Sequence, residues 1–299
     1  MKNKIFIVFL ILIFFGALLS LNFLPYKYKY CFDIYEAKKA LADSYSVEVL
    51  EQAADFFVRK HKINPLEPHN YADFDGNHHP KVFIHKGDYV LEAGVSGDVY
   101  ISTVPSLEQV SKEGKVFGVE PNPSSINKIK NDLKDYKNFQ LFQYALSNKC
   151  GIGKFNFVGD PNEEVNLNGR LVLNDPIDEE DNIIDVELIT IDKLLKDNNI
   201  NKMDFILLDI EGAESRALQG AKETIKKYKP DLSISCHNLS EILKVILFIH
   251  SINKDYKIYF AEFDAGGDSD WRNYIVYASC NVFLSGNSSY IYSSFNNFN

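Results

Sequence analysis

The chain has 299 residues, 45% of them hydrophobic and 13% aromatic, enough for one sizeable domain with appendages and a real buried core. A formal net charge of −9 and the lack of any Lys/Arg-rich block argue against a nucleic-acid partner, because phosphate binding needs a basic face. Four scattered cysteines (Cys31, Cys150, Cys236, Cys280) show no CxxC spacing and give no support to a zinc site or a disulfide framework.

Residues 5–24 form an uncharged apolar stretch, about 30 Å long as a helix and enough to cross a bilayer. Lys2 and Lys4 precede it, and Pro25 with the tyrosine-rich run 26–30 follows, as suits a membrane interface. Leu18 and Leu19 spoil the small-x-small cleavage pattern, so residues 1–30 are expected to be an uncleaved single-pass anchor and its flank rather than a signal peptide. Lysines at both ends leave the side of the membrane open. Asn238-Leu239-Ser240 and Asn287-Ser288-Ser289 fit the glycosylation acceptor pattern, which also arises by chance.

Residues 31–80 are expected to form a helical stem and connector packed on the main domain. Ile34, Ala37, Leu41, Val47, Leu50, Ala54, Phe57 and Val58 recur at helical spacing, and Pro65, Pro68, Gly76 and Pro80 punctuate the segment after them. His78-His79 in that connector reads as solvent-facing.

Residues 81–285 alternate strands with helices. Strands are expected at 89–93, 116–119, 139–144, 154–158, 186–189, 205–210, 232–236, 257–262 and 274–278, with helices at 124–133, 191–195, 214–228 and 240–252. This is the pattern of an α/β fold with a doubly wound, mostly parallel sheet. The acidic, turn-rich stretch 159–185 is either a lid over a site or a solvated insertion. The Ser/Asn/Tyr-rich tail 286–299 is expected to be disordered.

Two strand ends carry the chemistry. The apolar run 205–208 stops at Asp209-Ile210-Glu211-Gly212-Ala213-Glu214, at a carboxyl end where ligands of open α/β sheets sit. The plainer explanation is a helix with an acidic first turn, which the helix dipole favours. The first strand runs into Glu92-Ala93-Gly94-Val95-Ser96-Gly97, a G-x-x-G turn that lets backbone approach a ligand. Glu120 ends the next strand before Pro121-Asn122-Pro123, and a carboxylate there accepts two hydrogen bonds from a ribose diol.

These motifs, with Tyr144-Ala145-Leu146-Ser147, Leu188-Ile189-Thr190-Ile191-Asp192 and Leu218-Gln219-Gly220-Ala221, occur in the order and rough spacing of the FkbM-type methyltransferases, a family this chain resembles over about residues 86–262. The resemblance implies a Rossmann-like class I methyltransferase fold that binds S-adenosylmethionine and O-methylates hydroxyls, often on sugars or glycosylated products. It places Gly94 and Gly97 under the methionine part of the cofactor with Glu92 close by. Glu120 falls on the ribose, Ala145 and Leu146 beside the adenine, and Asp209 near the sulfonium and the incoming nucleophile. The chain departs from the family at Glu92, where Asp is usual, at Val95-Ser96, at Leu208, and at Pro105, which interrupts the expected first helix.

Methyl transfer to an alcohol needs alignment of the reacting atoms and removal of the hydroxyl proton. Asp209, Glu211 and His237, which ends the strand beside Asp209, are the candidate catalytic residues. An imidazole at its ordinary pKa of ~6.5 suits a base at neutral pH. The same three side chains are also a possible, though not favoured, set of ligands for a divalent metal. The acceptor is expected to be a small molecule or a glycan. A non-catalytic binding module and an NAD-binding oxidoreductase remain as alternatives.

Overall fold

The computed structural model describes residues 31–59, 84–95, 99–100, 102–157, 169–173, 182–263 and 273–280. The expected membrane span at 5–24, the connector 62–80, the tail 286–299 and most of the acidic stretch lie outside these residues. Among the described residues no helix is long and apolar enough to cross a membrane.

Helices α1 (Cys31–Ala40) and α2 (Ser44–Arg59) precede the sheet domain. There the chain runs β1 (Tyr89–Ala93), α3 (Thr103–Val110), β2 (Lys115–Val119), α4 (Pro123–Asp132), β3 (Phe139–Phe142), β4 (Ala145–Leu146), β5 (Gly151–Phe157), β6 (Gly169–Leu171) and β7 (Asn182–Ile189). It continues through α5 (Ile191–Asp197), β8 (Phe205–Leu208), α6 (Glu214–Gln219), α7 (Lys222–Tyr228), β9 (Asp231–Cys236), α8 (Leu239–Ile252), β10 (Lys257–Phe263) and β11 (Asn273–Ser279).

Seven strands form the main sheet in the order β10-β11-β9-β8-β1-β2-β3. The five from β9 to β3 are mutually parallel, and β11 runs antiparallel between β9 and β10. The inner strands read as continuous apolar runs because both faces are covered. Alternate side chains divide between two cores. Leu91, Phe117, Ile206 and Leu208 pack with α5 to α8 and the stem, while Val90, Val116, Phe205 and Leu207 pack with α3 and α4. From β1 the chain winds outward to β2 and β3, then returns on the other side to β8 and β9. The crevice at the carboxyl ends of β1 and β8 is therefore the topological switch point, where such sheets bind ligands.

The stem helices pack on α8 and β10. The Ala42 N–H donates to the Ile258 carbonyl at 2.7 Å, and the Ser46 hydroxyl accepts from the Phe260 N–H at 2.9 Å. These bonds satisfy backbone groups that β10, as the edge strand, would otherwise leave open.

Four local features differ from the pattern expected of the sequence. A helix does form at α3 despite Pro105, which is its third residue; in the first turn a missing N–H removes no intrahelical bond. The expected helix over 214–228 is two helices that meet at Gly220, which caps the first and packs so tightly that a Cβ there would lie 2.2 Å from the Ser147 carbonyl. Asp192 then starts α7 anew, accepting the N–H groups of Glu223 and Thr224 at 3.0 and 2.8 Å. Strand β8 ends at Leu208, two residues early, in a turn with positive φ at Glu211 and Gly212. Finally, β4, β7, β5 and β6 form a second sheet of four strands, mostly antiparallel, around Ala145, Phe155, Phe157 and Val186.

Candidate active site

Gly94 closes the crevice floor. Its φ is +86°, and a Cβ at this position would lie 1.8 Å from the Asp209 carbonyl oxygen, so only glycine lets the ends of β1 and β8 meet. The Gly94 N–H donates to the Val119 carbonyl and the Asp209 N–H to the Ala93 carbonyl, tying three strand ends together.

Above this floor lies a cavity of about 250 Å³. It is lined by Gly94, Glu120, Asn122, Ala145, Leu146, Asp209 and Glu211, and by Phe155, Gly169 and Leu171 of the second sheet. Glu120 is almost fully buried and accepts the Asn122 N–H at 2.8 Å. Burial pushes its carboxyl up to about 8, and that hydrogen bond only partly offsets the effect. Asn122 also caps α4, its side chain accepting the Ser124 N–H.

Glu92 is fully buried but does not line the cavity. Its carboxylate accepts the hydroxyls of Ser102 and Thr103 at 2.5 and 2.8 Å, which anchors the start of α3. Gly97 lies outside the described residues.

Asp209 and Glu211 belong to a charge cluster. His237 Nε2 is 3.1 Å from Asp209 Oδ1, 3.8 Å from Glu211 Oε2 and 3.9 Å from Glu214 Oε1. Burial alone would lower the His237 pKa, but the bond to Asp209 and the charges of Glu211, Asp209 and Glu214 outweigh it and raise the value to about 9. These acids favour the protonated imidazole, in contrast to the free base its ordinary pKa suggests. Burial raises Glu211 from its ordinary value despite His237 nearby, and raises the fully buried Glu214 to about 7. Ligand atoms of Asp209, Glu211 and His237 lie within 4.8 Å of one another, close enough to converge on one divalent cation.

The structure thus brings Gly94, Glu120, Ala145, Leu146, Asp209 and Glu211 onto one cavity, with His237 behind the acids. Asn122, Tyr144, Phe155, Gly169 and Leu171 also line it. Asn122 had a signal in the sequence, a capping residue two positions after the strand-ending acid and just before Pro123. Gly169 and Leu171 lie in the acidic stretch, whose composition gives no strand pattern.

Residues 81–264 match the profile of a family described as the methyltransferase FkbM domain. The crystal structure of a methyltransferase FkbM from Methylobacillus flagellatus KT superposes with a TM-score of 0.58 at 19% identity, over 83% of this chain and 59% of that one. This chain thus spans about three-fifths of that relative's length. A putative rRNA methylase from Clostridium thermocellum gives 0.40 at 12% identity over 66% and 88% of the two chains. Aeropyrum pernix fibrillarin, solved with natively bound S-adenosyl-L-methionine, gives 0.35 at 12% over 65% and 69%. No curated protein matches the chain. At such identities the Methylobacillus likeness establishes the fold alone, a class I methyltransferase sheet.

Proposed function

The chain belongs to the FkbM methyltransferase family, and on that premise we propose that it is an S-adenosylmethionine-dependent O-methyltransferase acting on a hydroxyl of a sugar or glycoconjugate. The observation that carries this is the cavity at the β1/β8 switch point, lined by both Glu120 and Asp209. Its residues suit the cofactor. Glu120 is a buried carboxyl with one backbone donor of its own, and its oxygens have capacity left to pair with the hydroxyls of a ribose diol. Gly94 leaves a backbone cradle where a side chain would intrude. When bound, S-adenosylmethionine supplies a methyl group activated by a sulfonium.

The chain's own residues do the rest. Gly94, Ala145 and Leu146 shape the cofactor side and exclude water from it. Asp209 stands at the strand end, where an acceptor hydroxyl meets the cofactor side, and accepts its proton. Glu211, raised by burial, is a stronger base than a surface carboxylate and faces the same space. His237, whose pKa the three acids raise, orients Asp209 through their 3.1 Å contact. The N-terminal apolar segment holds the domain at a membrane, so a membrane-bound glycan or glycolipid is the favoured acceptor.

Methyl-labelled S-adenosylmethionine incubated with a glycan and glycolipid acceptor panel tests the assignment. Label in an alkali-stable sugar O-methyl ether with the parent, and none with Asp209→Ala, supports it. Label on nitrogen or on protein carboxyls refutes the O-methyl assignment.

A further inference from the structure

The acids of the cavity come from the main sheet: Glu120 follows β2, and Asp209 and Glu211 follow β8. Phe155, Gly169 and Leu171 come instead from β5 and β6 of the second sheet, which enters the chain between β3 and α5. Phe155 pairs with Leu171 across these strands, and Phe157 with Gly169. Phe155 is buried with Ala145, Phe157 and Val186, whereas Leu171 is only partly buried at the edge of that cluster. Gly169 lies against the Phe155 ring, where a Cβ would come within 2.3 Å of it. The ring therefore backs the strand, and Leu171 is the apolar side chain that β6 leaves partly open at the cavity. The strand also reaches the acids, because Arg170, between Gly169 and Leu171, is close enough to Glu211 for its charge to act there. Arg170 itself does not line the cavity, in keeping with the alternation of side chains along a strand.

Among the described residues no lysine or arginine lines the cavity. His237 does not line it either, and its Nε2 already meets Asp209 at 3.1 Å. An anionic group brought inside loses its water and gains no cation, and an unpaired charge is costly to bury. A sugar ring is a different case. Its hydroxyl edge and its C–H face suit a cavity that offers carboxyl oxygens and an apolar side chain together.

We propose that Leu171 is a specificity residue of this site: it takes the C–H face of an uncharged sugar ring whose hydroxyl meets Asp209, and the cavity refuses sugars that carry a carboxylate or phosphate. The proposal rests on the methyl-transfer reading and narrows its acceptor class by charge.

The test uses methyl-labelled S-adenosylmethionine and a panel of neutral glycosides, free and lipid-linked, each matched with its uronic acid and its 6-phosphate. The parent should label neutral members at least about tenfold faster than their acidic partners, for want of a buried cation. Leu171→Ala should raise the KM of a labelled neutral acceptor about tenfold, the effect of uncovering much of one leucine. Its affinity for S-adenosylhomocysteine by calorimetry should not change. Leu171→Arg supplies the missing cation and should narrow the gap between acidic and neutral members. Equal or faster labelling of acidic members by the parent overturns the charge selection. An unchanged KM in Leu171→Ala, or a loss of S-adenosylhomocysteine affinity that matches its rise, overturns the role of Leu171. If Leu171→Arg does not fold, the alanine variant and the parent's own neutral-to-acidic ratio still decide. A parent that binds no S-adenosylhomocysteine sinks the methyltransferase reading itself; one that binds it and labels acidic sugars best sinks only this proposal.

Discussion

Glu120 and Asp209 line one cavity, yet the first is buried against backbone and the second is nearly half exposed among charges. The Glu120 wall is shaped by backbone. Gly94 fits because two strand ends meet there, and Asn122 both caps α4 and binds Glu120. The Asp209 wall is shaped by charge: Asp209, Glu211 and Glu214 all lie within 3.9 Å of His237 Nε2 and together raise the pKa of its ring. Binding geometry is therefore stored in rigid structure, while reactivity is stored in an electrostatic balance that one substitution tips without unfolding the domain.

The strongest break falls on the backbone-built wall. Gly94→Ala adds left-handed strain of roughly 1–3 kcal/mol and sets a methyl group 1.8 Å from the Asp209 carbonyl, which cannot swing away like a side chain. We expect S-adenosylhomocysteine binding to disappear by calorimetry and Tm to drop sharply. A variant that binds normally means the two strand ends do not form the floor of the site.

Next comes the charged wall. Asp209→Ala should cut turnover by about 10²–10⁴-fold, the usual contribution of a positioned base. Circular dichroism and Tm should stay near the parent's, because the side chain is largely exposed. Near-normal turnover removes Asp209 from the chemistry.

Glu120→Gln probes the first wall by pH. The folded protein keeps the Glu120 proton up to about 8, whereas the ordinary value, and hence the unfolded chain's, is 4.5. Above pH ~4.5 the unfolded state binds fewer protons, so stability drains away as pH rises toward ~8. The glutamine variant lacks this slope. It should match the parent near pH 4.5 and melt progressively higher as pH approaches 8, while binding S-adenosylhomocysteine up to about tenfold more weakly for loss of one acceptor oxygen. A Tm difference independent of pH contradicts the buried carboxyl.

The smallest effect is a control outside both walls. Thr190 caps α5 by accepting the Lys193 N–H at 3.1 Å. Thr190→Ala should cost about 1 kcal/mol, or roughly 2–4 °C in Tm, with ligand affinity unchanged. A change in affinity shows that general destabilisation reaches the cavity and blurs the distinction between the walls.

The legible parts of the molecule are those that a local pattern dictates. Strands β1, β2, β8 and β9 stand out because strands buried on both faces read as apolar runs, and Glu120 after β2 and Asp209 after β8 mark the crevice. Gly94 and Glu120 are visible as turn and stop signals. What sequence does not carry is tertiary pairing. The second sheet, which brings Phe155, Gly169 and Leu171 to the cavity, depends on antiparallel partners that periodicity cannot choose. The break at Gly220 depends on a carbonyl 73 residues away in sequence, that of Ser147. The charge of His237 depends on carboxylates 28, 26 and 23 residues earlier, which only the β8/β9 pairing brings together.

Calorimetric titration of the parent protein with S-adenosylhomocysteine, with NAD as the comparison ligand, tests the central claim most directly. The expected result is one saturable site for S-adenosylhomocysteine, lost in Gly94→Ala, and no heat from NAD. No binding of S-adenosylhomocysteine, or binding untouched by Gly94→Ala, contradicts a methyl-donor site at the β1/β8 crevice.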